Sequence, residues 1–155
     1  MSSHESLRVV RNEADELEVE GTWEAGSSAP PAHLHPAQDE HFEVRSGRLT
    51  AVVDGVRRQL GPGDTLEIPR RTPHKMWNSG DEVARALWRT RPAGRTLEWF
   101  RTVHRIGGGG TRKPPLPAMA KAVSKYSDVF RLVIRPKPLQ PVADLALRLL
   151  ALGWR

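Results

Sequence analysis

Turn sequences at short intervals are the feature that most restricts how residues 7–92 of this chain can fold. Glycine, proline, serine and aspartate adopt turn conformations readily, so clusters of them mark the ends of strands. Four such clusters occur here: Ser46-Gly47, Asp54-Gly55, Gly61-Pro62-Gly63 and Ser79-Gly80-Asp81. The Asp54-Gly55 pair lies between LTAVV and VRRQL and predicts a two-residue hairpin.

The segments between these turns have the composition of short strands. The predicted strands are LRVVR, ELEVEGTW, HFEVRSG, LTAVVDG, VRRQL, DTLEIP, HKMWN and VARALWRTRP. Alternate apolar positions give these strands one face that can be buried: Leu49, Ala51 and Val53 in one strand, Leu66 and Ile68 in another. Short strands at intervals of about 8–12 residues predict a mainly β fold, either a β-sandwich or a small barrel.

After residue 94 the pattern becomes helical. TLEWFRTVHRI predicts a helix with Thr96 as its N-cap and Gly107 as its stop. AMAKAVSKY and PVADLALRLLALGW predict two more helices beyond the flexible break GGGGTRKPPLP. We therefore divide the chain into a β-barrel domain, residues 1–92, and a helical C-terminal extension, residues 93–155.

The charge of the chain is divided unequally. Residues 1–94 contain 12 Lys+Arg and 15 Asp+Glu, a net charge of −3, whereas residues 95–155 contain 12 and 3, a net charge of +9. An acidic partner would therefore bind the extension, with the barrel as a scaffold. The sequence has no helix-turn-helix, zinc-finger or RNP motif, so nucleic-acid binding is not predicted.

The last helical segment suggests an association of subunits. Residues 142–154 are almost entirely apolar but too short to span a bilayer, and no secretory signal is apparent, so we expect a cytoplasmic protein that does not enter a membrane. We predict a homodimer in which the extension packs across the partner, with residues 107–110 as a flexible arm and Trp154 among the buried side chains. The alternative is a helix that folds back on its own barrel.

Histidines and carboxylates concentrate in PAHLHPAQDEHF. His33 and His35 are two residues apart, so in an extended segment both side chains leave the same face with Cα atoms roughly 6.5 Å apart. Glu40 would face away in an unbroken strand, but Pro36 allows a turn or bulge that returns Glu40 to the inside. A strand that begins at His74 supplies one more imidazole. The four side chains predict an open transition-metal site.

Two extended motifs give these ligands a context. Gly26-x6-His33-x-His35-x4-Glu40-x6-Gly47 and Gly63-x5-Pro69-x4-His74-x3-Asn78 resemble the first and second cupin motifs over about residues 20–80. The spacer before His33 is one residue longer than usual, and Arg71 stands where that family usually has glycine. The resemblance implies a double-stranded β-helix (jelly-roll) barrel that holds a metal on His33, His35, Glu40 and His74.

Other side chains near the motifs need separate interpretations. Candidates to line a pocket are Phe42, Met76, Asn78 and Trp88, although Asn78 equally suits a structural role at a strand end, and an aromatic residue in a barrel is often core. His41 and Glu67 should point outward. His4 and His104 have no expected metal role. An HxHxDH metallo-hydrolase is excluded because Asp39 and His41 come two residues too late.

The predicted site suits one divalent transition metal, namely Fe, Mn, Ni, Zn or Cu. Within the cupin resemblance, the main hypothesis is a metal-dependent enzyme, an oxygenase, isomerase or cyclase-like enzyme, that acts on a small oxygen-rich or aromatic metabolite. No second general acid or base can be placed inside the barrel. The alternative is a metal-containing module that binds or senses a small ligand without turnover.

Overall fold

A computed structural model describes residues 5–108, 114–133 and 140–152. Ten strands in these ranges form two antiparallel five-stranded sheets. The strands are β1 (Glu5–Asn12), β2 (Leu17–Trp23), β3 (His33–Leu34), β4 (Asp39–Ser46), β5 (Leu49–Val53), β6 (Val56–Leu60), β7 (Thr65–Ile68), β8 (His74–Trp77), β9 (Ala84–Arg91) and β10 (Arg131–Leu132). One sheet has the order β1-β2-β9-β4-β7 and the other β10-β3-β8-β5-β6. The predicted mainly β jelly-roll fold is confirmed.

Alternation along the strands fills the core from both sheets. In β4, Glu40, Phe42 and Val44 are buried, and in β7 Leu66 and Ile68 are buried between more exposed neighbours. Successive side chains of a strand point to opposite faces, so one face of each strand joins the core. A single apolar cluster extends through the strands of both sheets.

The predicted hairpin at Asp54-Gly55 is confirmed. Val53 and Val56 are paired across it, and Asp54 and Gly55 have φ values of 46° and 86°. Positive φ at both central residues is the requirement of a type I′ turn, which Asp-Gly satisfies at low cost. The turn sets the register of β5 on β6 and therefore keeps Leu49 and Ala51 in the core.

Three helices in the described ranges follow the last long strand: α1 (Thr96–Ile106), α2 (Leu116–Lys125) and α3 (Gln140–Leu152). The prediction of Thr96 as N-cap is wrong, because Arg95 occupies that position and makes no side-chain capping bond. The hydroxyl of Thr96 instead accepts a hydrogen bond of 2.9 Å from Gln38 Nε2. That contact ties the loop before β4 to the start of α1.

The C-terminal extension is joined to the barrel and packs on itself. β10, which was not predicted from the sequence, pairs with β3, and Trp99, Phe100 and Val129 belong to the same apolar cluster as the barrel. α3 packs on α2. The division at residue 92 stays a prediction. His4, Trp154 and the Gly109-Gly110 part of the proposed arm lie outside the described residues.

Within the described ranges, no helix is long and apolar enough to cross a membrane. The cytoplasmic location expected from the sequence stays a prediction.

Candidate metal centre

Two histidines that are close in sequence, His33 and His35, meet a third, His74, from a later strand of the same sheet. His33 lies in β3 directly opposite His74 of β8, and His35 follows β3 by one residue. One ligand atom from each of the three imidazoles lies within 4.8 Å of the others. His35 and His74 are 4% exposed, whereas His33 is half-buried. This cluster is compatible with a metal ion.

Glu40 reaches the same cluster from the other sheet. Its Oε1 lies 3.2 Å from His35 Nε2, and its Oε2 lies 2.9 Å from His74 Nε2. The side chain is fully buried, and Oε1 also accepts a hydrogen bond of 2.9 Å from Trp88 Nε1. The segment between His35 and β4 therefore returns Glu40 to the inside, as the sequence predicted.

Backbone carbonyls fix the orientation of all three imidazoles. The Nδ1 atoms of His33, His35 and His74 lie 3.3, 2.6 and 2.9 Å from the carbonyl oxygens of Pro31, Val129 and Thr72, respectively. A carbonyl can only accept, so each Nδ1 carries the proton and donates it. Each neutral ring then has its lone pair on Nε2. His35 and His74 direct that atom at Glu40.

Two buried atoms in the cluster have no hydrogen-bond partner among the described residues, namely His35 Nε2 and Glu40 Oε2. Imidazole lone pairs and carboxylate oxygens at these distances face one another as acceptors, and buried polar atoms need a partner. A cation between them satisfies both. The donor set of three imidazoles and one carboxylate fits a divalent transition metal.

The electrostatics of the four side chains agree with this arrangement. Burial, together with the neighbouring His74 and His35, holds the pKa of His33 well below its ordinary value. Burial opposes the charge on Glu40, but His35 and His74 outweigh it and hold the pKa of Glu40 well below its ordinary value. Burial also opposes protonation of His35, yet the negative charge of Glu40, to which a protonated Nε2 would donate a hydrogen bond, raises the pKa of His35. Without a metal ion, a proton on His35 can therefore balance the negative charge of the Glu40 carboxylate.

The pocket candidates have different surroundings. Trp88 contacts Glu40 and stacks on Phe42 with ring centroids 5.0 Å apart, and Met76 is a buried residue two positions after His74. Asn78 has its side chain bonded to backbone: Nδ2 donates to Trp23 O and Glu82 O, and Oδ1 accepts from Gly80 N. Asn78 therefore holds the loop after β8.

The remaining acids and histidines near the motifs lie on the surface. His41 Nδ1 is 2.5 Å from Glu67 Oε1 on the face opposite the core. His104 is exposed in the last turn of α1. These positions agree with the outward orientation predicted for His41 and Glu67.

Arg71 occupies a conformation that suits glycine. Its φ is 66°, in the left-handed region, and its amide donates a hydrogen bond of 2.8 Å to His35 O. Glycine reaches this region without the steric cost that a β-carbon brings. The backbone therefore keeps the turn that the motif requires even though arginine replaces glycine.

Two residues of the extension, Val129 and Phe130, contact the histidines, and sequence reasoning missed them. Phe130 stacks on His33 with ring centroids 4.8 Å apart and on Trp99 at 4.4 Å, and the carbonyl of Val129 accepts from His35. A backbone carbonyl leaves no trace in a sequence. Phe130 comes two positions after the mainly polar residues 124–128, and no motif surrounds it.

Comparison with known proteins supports the assignment of the fold. The sequence model of the cupin domain family matches residues 19–89. Among curated proteins, the chain is 43% identical over 68 residues to oxidoreductase iacF of Pestalotiopsis fici, a match that covers 41% of this chain and 33% of that protein. The chain therefore spans about a third of that relative.

Two solved structures show the same architecture. KdgF from Halomonas sp. aligns with a TM-score of 0.56 at 20% identity. The match covers 61% of this chain and 85% of the KdgF chain. A protein from Klebsiella pneumoniae with a double-stranded β-helix domain has a TM-score of 0.53 at 23% identity and covers 59% and 79%, respectively. These likenesses concern the fold.

Proposed function

Because this chain belongs to the cupin superfamily, we propose that it is a metal-dependent enzyme of the oxidoreductase type that acts on a small oxygen-rich or aromatic metabolite. His33, His35, His74 and Glu40 are the proposed ligands of one divalent transition metal. The observation that carries this proposal is that three imidazoles converge beside the Glu40 carboxylate, and that His35 Nε2 and Glu40 Oε2 have no hydrogen-bond partner among the described residues. Fe, Mn, Ni, Zn and Cu all suit such a donor set.

Each residue of the cluster has a role that follows from its contacts. The backbone carbonyls keep the Nε2 lone pairs directed inward, and Glu40 supplies a negative charge that offsets the charge of the ion. An ion held by these residues would supply a Lewis acid that can bind substrate oxygens or dioxygen. Trp88 bonds Glu40 and stacks on Phe42, and both rings are buried, so this side of the cluster excludes water and strengthens the electrostatics.

Two observations favour redox chemistry over a proton shuttle. Among the described residues of the barrel core, we find no buried acid near the cluster other than Glu40, so the metal has no separate general acid or base beside it. In addition, the curated relative with 43% identity is named an oxidoreductase. Isomerase or cyclase-like chemistry and a ligand-binding module without turnover are the competing proposals.

Elemental analysis tests the metal site. Protein from cultures supplemented with each candidate metal should contain close to one divalent ion per chain. The substitutions His35→Ala and His74→Ala should each remove it, whereas His41→Ala, on the outer face, should retain it. Stoichiometric metal in a His33→Ala/His35→Ala/His74→Ala variant would refute the assignment.

Turnover tests the enzymatic part. The metal-loaded chain is incubated with a panel of phenolic, keto-acid and sugar-acid metabolites while dissolved oxygen and product masses are followed. Oxygen consumption that depends on both metal and metabolite supports an oxygenase. A mass-neutral product without oxygen uptake would indicate an isomerase or cyclase, and tight binding without any product would indicate a sensing module.

We also propose a homodimer formed through α3. This helix packs on α2 of its own chain, yet Val142, Leu145, Leu149 and Leu150 are between 45% and 62% exposed. Isolated exposed apolar residues are common, but a group on one helix marks an interaction surface. Light scattering of Leu145→Glu/Leu149→Glu should give a monomer, with Arg148→Glu as a control for charge. A monomeric wild type at micromolar concentration would contradict the proposal.

A further inference from the structure

We propose that the segment Tyr126–Val133, which we call the strap, orients two of the candidate metal ligands from outside the cupin motifs. This inference rests on the proposed metal site. The strap lies in the C-terminal extension, beyond the residues 19–89 that match the cupin family. Its role would be to fix His35 by a hydrogen bond and His33 by ring stacking, so that metal binding depends on the extension.

The first contact is the hydrogen bond from His35 Nδ1 to the carbonyl of Val129, at 2.6 Å. The other two imidazoles bond to carbonyls only two residues away, Pro31 for His33 and Thr72 for His74. His35 alone among the three takes its partner from a segment 94 residues along the chain. Partners of this kind set the tautomer and ring orientation of a metal-binding histidine.

The second contact is a stack of three rings. Phe130 lies against His33 with an interplanar angle of 24° and against Trp99 of α1 with the same angle. Trp99 is buried, so it provides a fixed base for the stack. His33 is the least buried of the three imidazoles and has the longest hydrogen bond to a carbonyl, at 3.3 Å. The ring of Phe130 therefore supplies orientation that the backbone gives to His33 only weakly.

The strap also completes the sheet around β3. That strand has two residues, and only His33 is paired with β8. On its other side, β10 pairs Arg131 with Leu34 and Leu132 with His33, and Val133 N donates to Ala32 O at 2.9 Å. Without β10, β3 would be a short edge strand, which is a weak support for two ligands.

An ion pair anchors the other end of the strap. Arg95, the residue before α1, bonds both carboxylate oxygens of Asp128, donates to Lys125 O, and lies 4.9 Å from the ring centre of Tyr126. The amide of Phe130 donates to Tyr126 O at 2.9 Å, which closes a turn just before β10. The strap is thus held at the start of α1 and at β3, with Val129 and Phe130 between these two anchors.

Metal affinity of the full-length chain tests the inference, with Co²⁺ alone as the probe. Co²⁺ is titrated in competition with a chelator, and its visible absorption spectrum reports the ligand geometry. Phe130→Ala should weaken Co²⁺ binding by about 10-fold or more, the usual effect of removing a group that orients a ligand. Phe130→Leu, which keeps bulk without a flat ring, should give a smaller loss.

The matched control is Val123→Ala in α2. Val123 is 6% exposed and belongs to the same apolar cluster, but it is not in the strap. Its substitution loosens the extension, so an affinity equal to that of the wild type would show that general destabilisation does not explain the Phe130→Ala result. Circular dichroism confirms that both variants are folded. An equal loss of affinity in Val123→Ala would overturn the inference.

A second measurement examines His35 directly. In the Zn²⁺-loaded wild type, nitrogen NMR should show a protonated Nδ1 on His35 whose proton exchanges slowly with water, and this exchange should be faster in Asp128→Asn.

If the wild type binds neither Co²⁺ nor Zn²⁺, the proposed metal site fails and the strap has no ligand to orient. If the wild type binds but Phe130→Ala has the same affinity and spectrum, the strap inference alone is wrong.

Discussion

The indole nitrogen of Trp88 donates a hydrogen bond of 2.9 Å to Oε1 of Glu40 in the interior of the barrel. The two residues belong to neighbouring strands, since Trp88 is in β9 and Glu40 is in β4. The bond holds one carboxylate oxygen in place while the other faces His74 Nε2. The oxygen that accepts from Trp88 also lies 3.2 Å from His35 Nε2, so Trp88 orients Glu40 within the cluster.

Replacement of Trp88 by phenylalanine should weaken metal binding while the chain stays folded. The ring that stacks on Phe42 is kept in part, but the donor to Glu40 is lost. We expect the metal dissociation constant to rise about 10–100-fold. Competition with a chelator measures it, and Trp23→Phe, another buried tryptophan, is the control. A Trp88→Phe variant with unchanged affinity would remove Trp88 from the site.

Removal of the metal should leave the barrel folded. The core contains fully buried side chains from both sheets, such as Leu17, Val44 and Leu49, which do not depend on the histidines. Small domains that unfold without metal lack such a core. After dialysis against a chelator, far-ultraviolet circular dichroism should be nearly unchanged. Loss of the β spectrum on chelation would show that the ion is a structural requirement.

The ion pair between Arg95 and Asp128 should give a defined pH dependence. The hydrogen bond from Arg95 lowers the pKa of Asp128 below its ordinary value of 3.8. A carboxyl group with a depressed folded-state pKa stabilises the fold fully above the unfolded value, and this contribution disappears as the pH falls through the folded value. Urea denaturation of the wild type and Asp128→Asn should therefore differ by a constant amount above about pH 5.

The same two curves should converge as the pH falls below 3.8. Most of the Asp128 carboxylate is exposed, so the constant difference should be small. Ser127→Ala, which leaves the ion pair intact, should follow the wild type at every pH. A difference between the wild type and Asp128→Asn that persists below the folded pKa would show that this carboxylate acts through some contact other than its charge.

Two glycines with the same backbone conformation should respond differently to alanine. Gly26 and Gly47 have φ values of 63° and 67°, but a β-carbon on Gly26 would meet nothing within 4 Å, whereas one on Gly47 would lie 2.4 Å from Val83 O. Gly26→Ala should lower the unfolding free energy by about 1 kcal/mol, which is the cost of holding a residue with a β-carbon in the left-handed conformation. Gly47→Ala should lose about 3 kcal/mol, since the backbone at Val83 must also move.

Thermal or urea denaturation of both glycine variants measures the difference. Equal losses would mean that the turn after β4 can shift away from Val83 without cost.

Most of the strands and the candidate metal ligands were predictable from local patterns, although the two-residue strand β3 was not among the predicted strands. Turn pairs such as Asp54-Gly55 mark strand ends by their own backbone preferences, and period-two alternation identifies the buried face of β4 and β7. His33, His35, Glu40 and His74 were selected because metal-binding side chains at these spacings reach a common point when strands pair. Both deductions need only residues that are close in sequence or strands that pair in a regular register.

The extension could be placed only by the tertiary structure. Its helices were predicted from apolar spacing, but β10 has two residues, too few for any alternation to appear in the sequence. The bond from His35 to Val129 uses a backbone carbonyl that every residue possesses. Sequence alone therefore indicated which side chains are candidates to bind a metal. The folded chain decided what orients them, because contacts between distant backbone groups depend on packing and not on residue type.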